Sequence, residues 1–234
     1  MLYSLTHNVA FAHYPKTAGS AIAEWFRRSF PDARYVRNGH PHVDVRRSLA
    51  WLSGGRSLPP LQRLRYLARA SNWRLSNRPL PDLPGRVRIL GVVRPPLDML
   101  ASLAAYWQRS AANPNPRDQL VTAAWEGRFT DFVRIAIGGR LPSYADFFDV
   151  GGLAWTRTRL IQFSDVAAGL RRACEAFGLD LPVELPQKNC RPKTADRFQF
   201  RGRIDPGLRA AVNHHFGSYQ EISVARQPPL RQAA

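Results

Sequence analysis

The segment Tyr14-Pro15-Lys16-Thr17-Ala18-Gly19-Ser20 gathers an ammonium group, two hydroxyls and a glycine in one short loop. It follows an apolar run, Asn8 to His13, and precedes Ile22, Trp25, Phe26 and Phe30, which recur at helical spacing. A loop that carries a buried strand into a helix N-terminus is a natural anion site. Backbone N–H groups without helical partners and the positive end of the helix dipole point at the same spot. Lys16 adds a point charge, and only Lys188 and Lys193 are also lysine in a chain whose other basic residues are arginine. Thr17 and Ser20 offer hydroxyl donors, and Gly19 lets the backbone come close to a ligand. The order is not that of a Walker A loop, in which the lysine follows the glycines. An ordinary helix start is the competing reading of the same residues.

A second anion-binding pair lies further on. The run Val87 to Val93 reads as a strand, and Arg94 leaves it just before Pro95 and Pro96 open a helix that carries Ser102. A guanidinium at a strand end can fork onto a phosphate, and a serine on the adjoining helix can add one hydrogen bond. The six histidines, His7, His13, His40, His42, His214 and His215, supply side chains that titrate near neutrality and suit proton abstraction. Glu24, one turn into the first helix, is a more remote base. His13 at its strand end is open to a purely packing role, and His214 and His215 read as structural. No His/Asp/Glu cluster points to a metal.

Pro15-Lys16-Thr17-Ala18-Gly19-Ser20 resembles the 5′-phosphosulfate-binding loop of PAPS-dependent sulfotransferases, which use 3′-phosphoadenosine 5′-phosphosulfate as sulfuryl donor. In that family an arginine after a later strand and a serine eight residues on hold the donor's 3′-phosphate. Arg94 and Ser102 stand at that separation. Arg157 to Leu170 is similar to a further family segment, with Phe163, Ser164 and Asp165 where Tyr, Glu and Asp are usual. Phe200-Arg201-Gly202-Arg203 is similar to a late loop that also touches the 3′-phosphate, which extends the donor-binding set to Arg201 and Gly202. Arg34 to Pro41 resembles the segment that delivers the family's catalytic histidine. The resemblance therefore implies His40 as general base, His42 as alternate, and Lys16 meeting charge on the leaving phosphate. It also implies PAPS as cofactor, PAP as product and no metal.

These residues need a scaffold. Strand-like runs at Asn8–His13, Arg34–Arg37, Val87–Val93 and Arg157–Phe163 alternate with helical patterns. The expectation is an α/β fold, a three-layer, mostly parallel sheet flanked by helices. The resemblance sharpens this to the P-loop-NTPase-like sulfotransferase fold. Ser164 or Asp165 starts a helix with Leu170, Ala173, Cys174 and Phe177 on its buried face, ended by Gly178, and Asp205-Pro206 starts the last helix. One domain over 1–225 is expected, with 53–86 and 111–150 as variable acceptor-side insertions and 226–234 as a flexible tail. Segment 53–86 holds seven arginines and one acid, Asp82, and could draw in an anionic acceptor or simply be a solvated cover. The aromatic residues of 119–150 could wall an acceptor pocket or pack in the core.

A chain of 234 residues suits one such domain. The net charge of +17 asks for an anionic partner. Arginine is spread along the chain and no nucleic-acid-binding motif appears, so no specific nucleic acid is expected. Composition is a competing source of part of the excess, since Ala, Arg and Pro are all abundant. No apolar run is long enough to span a bilayer, and Met1 to Ser4 opens no signal-peptide pattern, so the expectation is a cytoplasmic protein without an integral membrane segment. Cys174 and Cys190 form neither a disulfide framework nor a metal spacing. The acceptor is a small molecule or a glycan, with anionic ones included, and the oligomeric state is open. Two rival classes share parts of this evidence: a kinase-like nucleotide-binding protein and a non-catalytic polyanion binder.

Overall fold

The computed structural model describes residues 1–36, 41–53, 86–110, 115, 117–186 and 204–217. Three site candidates, His40, Arg201 and Gly202, lie outside the described residues. So do Cys190, Lys188, Lys193, most of the 53–86 segment and the 226–234 tail.

Among the described residues, five short strands form one sheet: β1 (Leu2–Ser4), β2 (Val9–Ala12), β3 (Arg34–Tyr35), β4 (Arg88–Val93) and β5 (Thr158–Gln162), in the order β3-β1-β2-β4-β5. β2, β4 and β5 pair in parallel, whereas β1 is antiparallel to both β2 and β3. The sheet is therefore mixed, not the mostly parallel one expected. β1 is the cause. Its three residues are too few to show a period, and a tight turn at Leu5–Asn8 folds it back on β2, with Asn8 in the left-handed region and its N–H donating to the Leu5 carbonyl at 3.2 Å.

The helices are α1 (Gly19–Ser29), α2 (Val45–Leu52), α3 (Pro96–Ser110), α4 (Gln119–Trp125), α5 (Phe129–Ile135), α6 (Tyr144–Phe148), α7 (Val166–Ala176) and α8 (Pro206–His215). Caps account for several starts: Asp44, Asp118, Ser143 and Asp205 each accept a backbone N–H of the first turn. Asp205 therefore begins the last helix as its sequence predicts, and Gly178, at φ 63°, follows the end of α7.

Alternation along the strands divides the apolar residues between two cores. Val9, Phe11, Leu90, Val92 and Ile161 pack with Ile22, Trp25 and Phe26 of α1 and with Leu170 and Cys174 of α7. Ala10, Ala12, Ile89 and Val93 face the other way, onto α3 and the helices of 119–148. Phe129, Phe132, Tyr144, Phe147 and Phe148 are all buried there, so these aromatic residues build the core under the sheet. Gly91 makes room for one of them: a Cβ on it would lie 2.4 Å from the Phe148 ring.

One consequence fixes the site. β2 and β4 are adjacent and parallel, yet α1 leaves β2 on one face of the sheet and α3 leaves β4 on the other. Their diverging helices open a crevice at the C-terminal ends of the two strands. That is where α/β sheets bind ligands.

Candidate functional site

The β2–α1 loop forms the floor of the crevice. Lys16 and Ala18 both adopt left-handed backbone angles, φ 59° and 61°. Each costs on the order of 1 kcal/mol for a residue with a Cβ, so the surroundings must hold them there. Thr17, fully buried between them, donates its hydroxyl to the Tyr14 carbonyl at 2.9 Å and closes the loop on itself. In this structure that hydroxyl serves the loop itself. Tyr14 is anchored in turn, its hydroxyl donating to the Pro142 carbonyl at 2.7 Å and its ring packing edge-on against Tyr144 and Phe147. Ala18 precedes α1 without a side-chain cap, and the first turn of α1 carries no acid. The positive helix end therefore faces the crevice without a carboxylate of its own first turn.

β4 delivers Arg94 to the same place. The Arg94 side chain donates from Nη1 to the Lys16 carbonyl at 3.3 Å, and its guanidinium lies 4.3 Å over the Phe163 ring. The residue is only 9% exposed, so its planar group is held, not waving. Its backbone is clamped by the buried Tyr144, whose hydroxyl donates to the Arg94 carbonyl at 2.7 Å and accepts from the Arg94 N–H at 3.3 Å. The lysine-bearing loop and the arginine-bearing turn thus share one end of the sheet and touch each other.

α3 supplies the third side. Ser102 is buried on it, and Tyr106, four residues on, lies on the same helical face. The Lys16 ammonium rests 4.5 Å from the centre of the Tyr106 ring. That contact turns the Ser102 face of α3 toward the loop.

On the far side of the loop stands a pair of histidines. His42 Nδ1 lies 2.9 Å from the His13 carbonyl. A carbonyl only accepts, so this nitrogen carries the proton and Nε2 keeps its lone pair. The two rings meet edge-on with centroids 4.5 Å apart. Burial lowers the His42 pKa from its usual 6.5 and outweighs the opposing effect of the hydrogen bond to His13. His13 is pushed down to about 3, first by burial and then by the neighbouring His42 charge. Both rings are neutral at physiological pH. His13 Nδ1 is buried and has no hydrogen-bond partner among the described residues.

Gly19 explains how the His13 ring fits. A Cβ there would fall 1.6 Å from His13 Nε2, so the space left by the missing side chain is filled by imidazole. Gly19 thus has a packing role beside the close backbone approach that the sequence suggests. Beyond the histidines a cleft of about 510 Å³ runs along α1, with Ser20, Glu24 and Arg27 on one wall and Tyr35, Pro41 and His42 opposite.

The structure therefore brings the Lys16 loop and Arg94 together at the β2 and β4 ends, with Tyr106 of the helix that carries Ser102 against Lys16 and His42 beside Ser20. His7 is elsewhere, packed on Phe30 and bonded to Ser4 at the opposite end of β2. His215 bonds the Leu141 carbonyl and packs on Phe216, a structural role. Sequence reasoning missed Tyr106, Tyr144 and Phe163 as supports. Phe163 was within reach: it follows β5, and in a parallel sheet the end of β5 must lie beside the end of β4. Among the described residues no group of three or more His, Cys, Asp or Glu side chains could hold a metal ion, and no helix is long and apolar enough to cross a membrane. Comparison with family models, curated proteins and solved structures gives no match to this chain.

Proposed function

We propose that the chain is a PAPS-dependent sulfotransferase of the P-loop-like sulfotransferase fold, acting on a hydroxyl or amine of a small or glycan acceptor. The observation that carries the reading is the contact between the Lys16 loop and Arg94 across two adjacent parallel strand ends. One cationic loop is a generic phosphate site. Two separate cationic groups, each just after its own strand, with Ser102 on the helix that follows the second, suit a nucleotide that carries phosphates at both its 5′ and 3′ positions. In this reading the backbone N–H groups at the start of α1 and the Lys16 ammonium hold the 5′ end, and Arg94 and Ser102 hold the 3′-phosphate. Arg201 and Gly202 complete that grip in the family resemblance.

The reaction asks little covalent chemistry of the protein. The acceptor oxygen bonds to sulfur, the bond from sulfur to the 5′-phosphate oxygen breaks, and the hydroxyl proton passes to a base; PAP leaves with the charge of the broken bond. Positioning and charge stabilisation then supply most of the rate, as in phosphoryl transfer. Lys16 is the group next to that developing charge.

Two histidines compete for the base. The resemblance favours His40, and the geometry favours His42, whose protonated Nδ1 and open Nε2 are the arrangement a general base requires. We assign the role to His42. Transfer from radiolabelled PAPS to a hydroxyl acceptor, followed in His42→Ala and His40→Ala, decides between them. His42→Ala is expected to lose at least 100-fold in turnover while retaining PAP affinity. The wild-type rate is expected to be flat above neutrality and to fall with a midpoint below 6.5, because burial keeps His42 unprotonated until more acid conditions. An unchanged rate in His42→Ala, with loss in His40→Ala, would move the base to His40.

A further inference from the structure

The cleft along α1 has two chemically different ends. At the inner end are Ser20 of the anion-binding loop, the neutral His42 and the buried His13. At the outer end are Arg27 and Arg28, with Tyr35 on the opposite wall. Arg28 pairs with Glu24 one turn back, so those two charges largely cancel. Arg27 is different. Its guanidinium lies 5.0 Å over the Tyr35 ring, it is exposed, and it has no carboxylate partner among the described residues. The ring holds the planar group broadside without neutralising it, which leaves its edge donors for a bound acid. Ser20 and Arg27 lie seven positions apart along α1, about 10 Å at 1.5 Å per residue. The volume of about 510 Å³ is that of a small-molecule site.

We infer that this cleft is the acceptor site and that it selects a polyhydroxylated acid, such as an acidic saccharide, whose carboxylate or sulfate lies about 10 Å from the reacting hydroxyl. The reacting hydroxyl sits at the His42 end, and the acid forks onto Arg27. An arginine fork on a carboxylate gives geometry as well as charge, so it fixes which hydroxyl of several reaches the base. The inference rests on the sulfotransferase reading for the identity of the reaction, but not for the binding of the acid.

The test is binding without turnover. The glucuronic-acid-containing disaccharide of hyaluronan and a neutral glucose-containing disaccharide of the same size serve as probes, followed by saturation-transfer NMR on the full chain with and without PAP. The acidic probe is expected to bind at least tenfold more tightly than the neutral one. Arg27→Gln, at an exposed position, should remove that advantage and leave PAP affinity unchanged. Equal binding of the two probes, or acidic-probe binding that is indifferent to Arg27→Gln, overturns the inference. Arg27-dependent binding of the acidic probe by a chain that fails to bind PAP would keep this site and reject the donor reading instead, so the two failures are separable.

Discussion

His13 joins the two halves of the site. Its carbonyl orients His42, its ring fills the hollow over Gly19, and its Nδ1 is buried with no partner among the described residues. This arrangement has a measurable consequence for stability. In the unfolded chain the imidazole takes up a proton near pH 6.5, whereas in the folded chain it stays neutral down to about 3. The unfolded state therefore binds more protons across that window. The stability that depends on a neutral His13 is complete above 6.5 and is lost as pH falls toward 3. Between pH 7 and pH 5 this one residue should cost about 2 kcal/mol of unfolding free energy. Chemical denaturation at a series of pH values checks it, with His13→Leu as the reference that cannot titrate. The wild type should lose stability on acidification more steeply than the variant; identical slopes would show that His13 is not held neutral in the fold.

The strand ends and helices do the placing. β4 carries Arg94, but α6 holds that strand end in register through the Tyr144 hydroxyl, which serves both the N–H and the carbonyl of Arg94. Tyr144→Phe keeps the ring packing and removes the hydroxyl that makes both bonds to the Arg94 backbone. A loss of about 1–3 kcal/mol is expected, together with weaker PAP binding, from thermal unfolding and calorimetry on the same sample. An unchanged melting temperature would mean that the clamp is not needed. Elements of this kind differ in how well they can be read from sequence. β2, β4 and β5 were legible because apolar runs bounded by turn residues mark buried parallel strands, and α1, α3, α7 and α8 because their apolar residues recur at helical spacing. β1 was not, since three residues carry no period. The strand-to-helix loop and Arg94 at its strand end were legible locally, but Tyr144, Tyr106 and Phe163 act on them from distant parts of the chain. Nothing in the local pattern around Tyr144 says that its hydroxyl will meet Arg94, because that contact spans 50 residues and exists only once the sheet has formed.

At the scale of the whole molecule, topology decides where the two cationic residues meet. Two adjacent parallel strands send their helices to opposite faces, and a crevice follows at their C-terminal ends. Lys16 and Arg94 meet in it, one from each strand. The net charge of +17 adds a long-range field that draws anions toward the protein, but a field cannot tell one polyphosphate from another. The proposed grip by Lys16 and Arg94 is what would make that distinction. Calorimetric titration of the chain with PAP and with ATP, at physiological salt and repeated on Arg94→Ala, tests this most directly. Saturable one-site binding of PAP, at least tenfold tighter than ATP and lost in Arg94→Ala, is the expected result. Equal affinities for PAP and ATP, or PAP binding that survives Arg94→Ala undiminished, would contradict it.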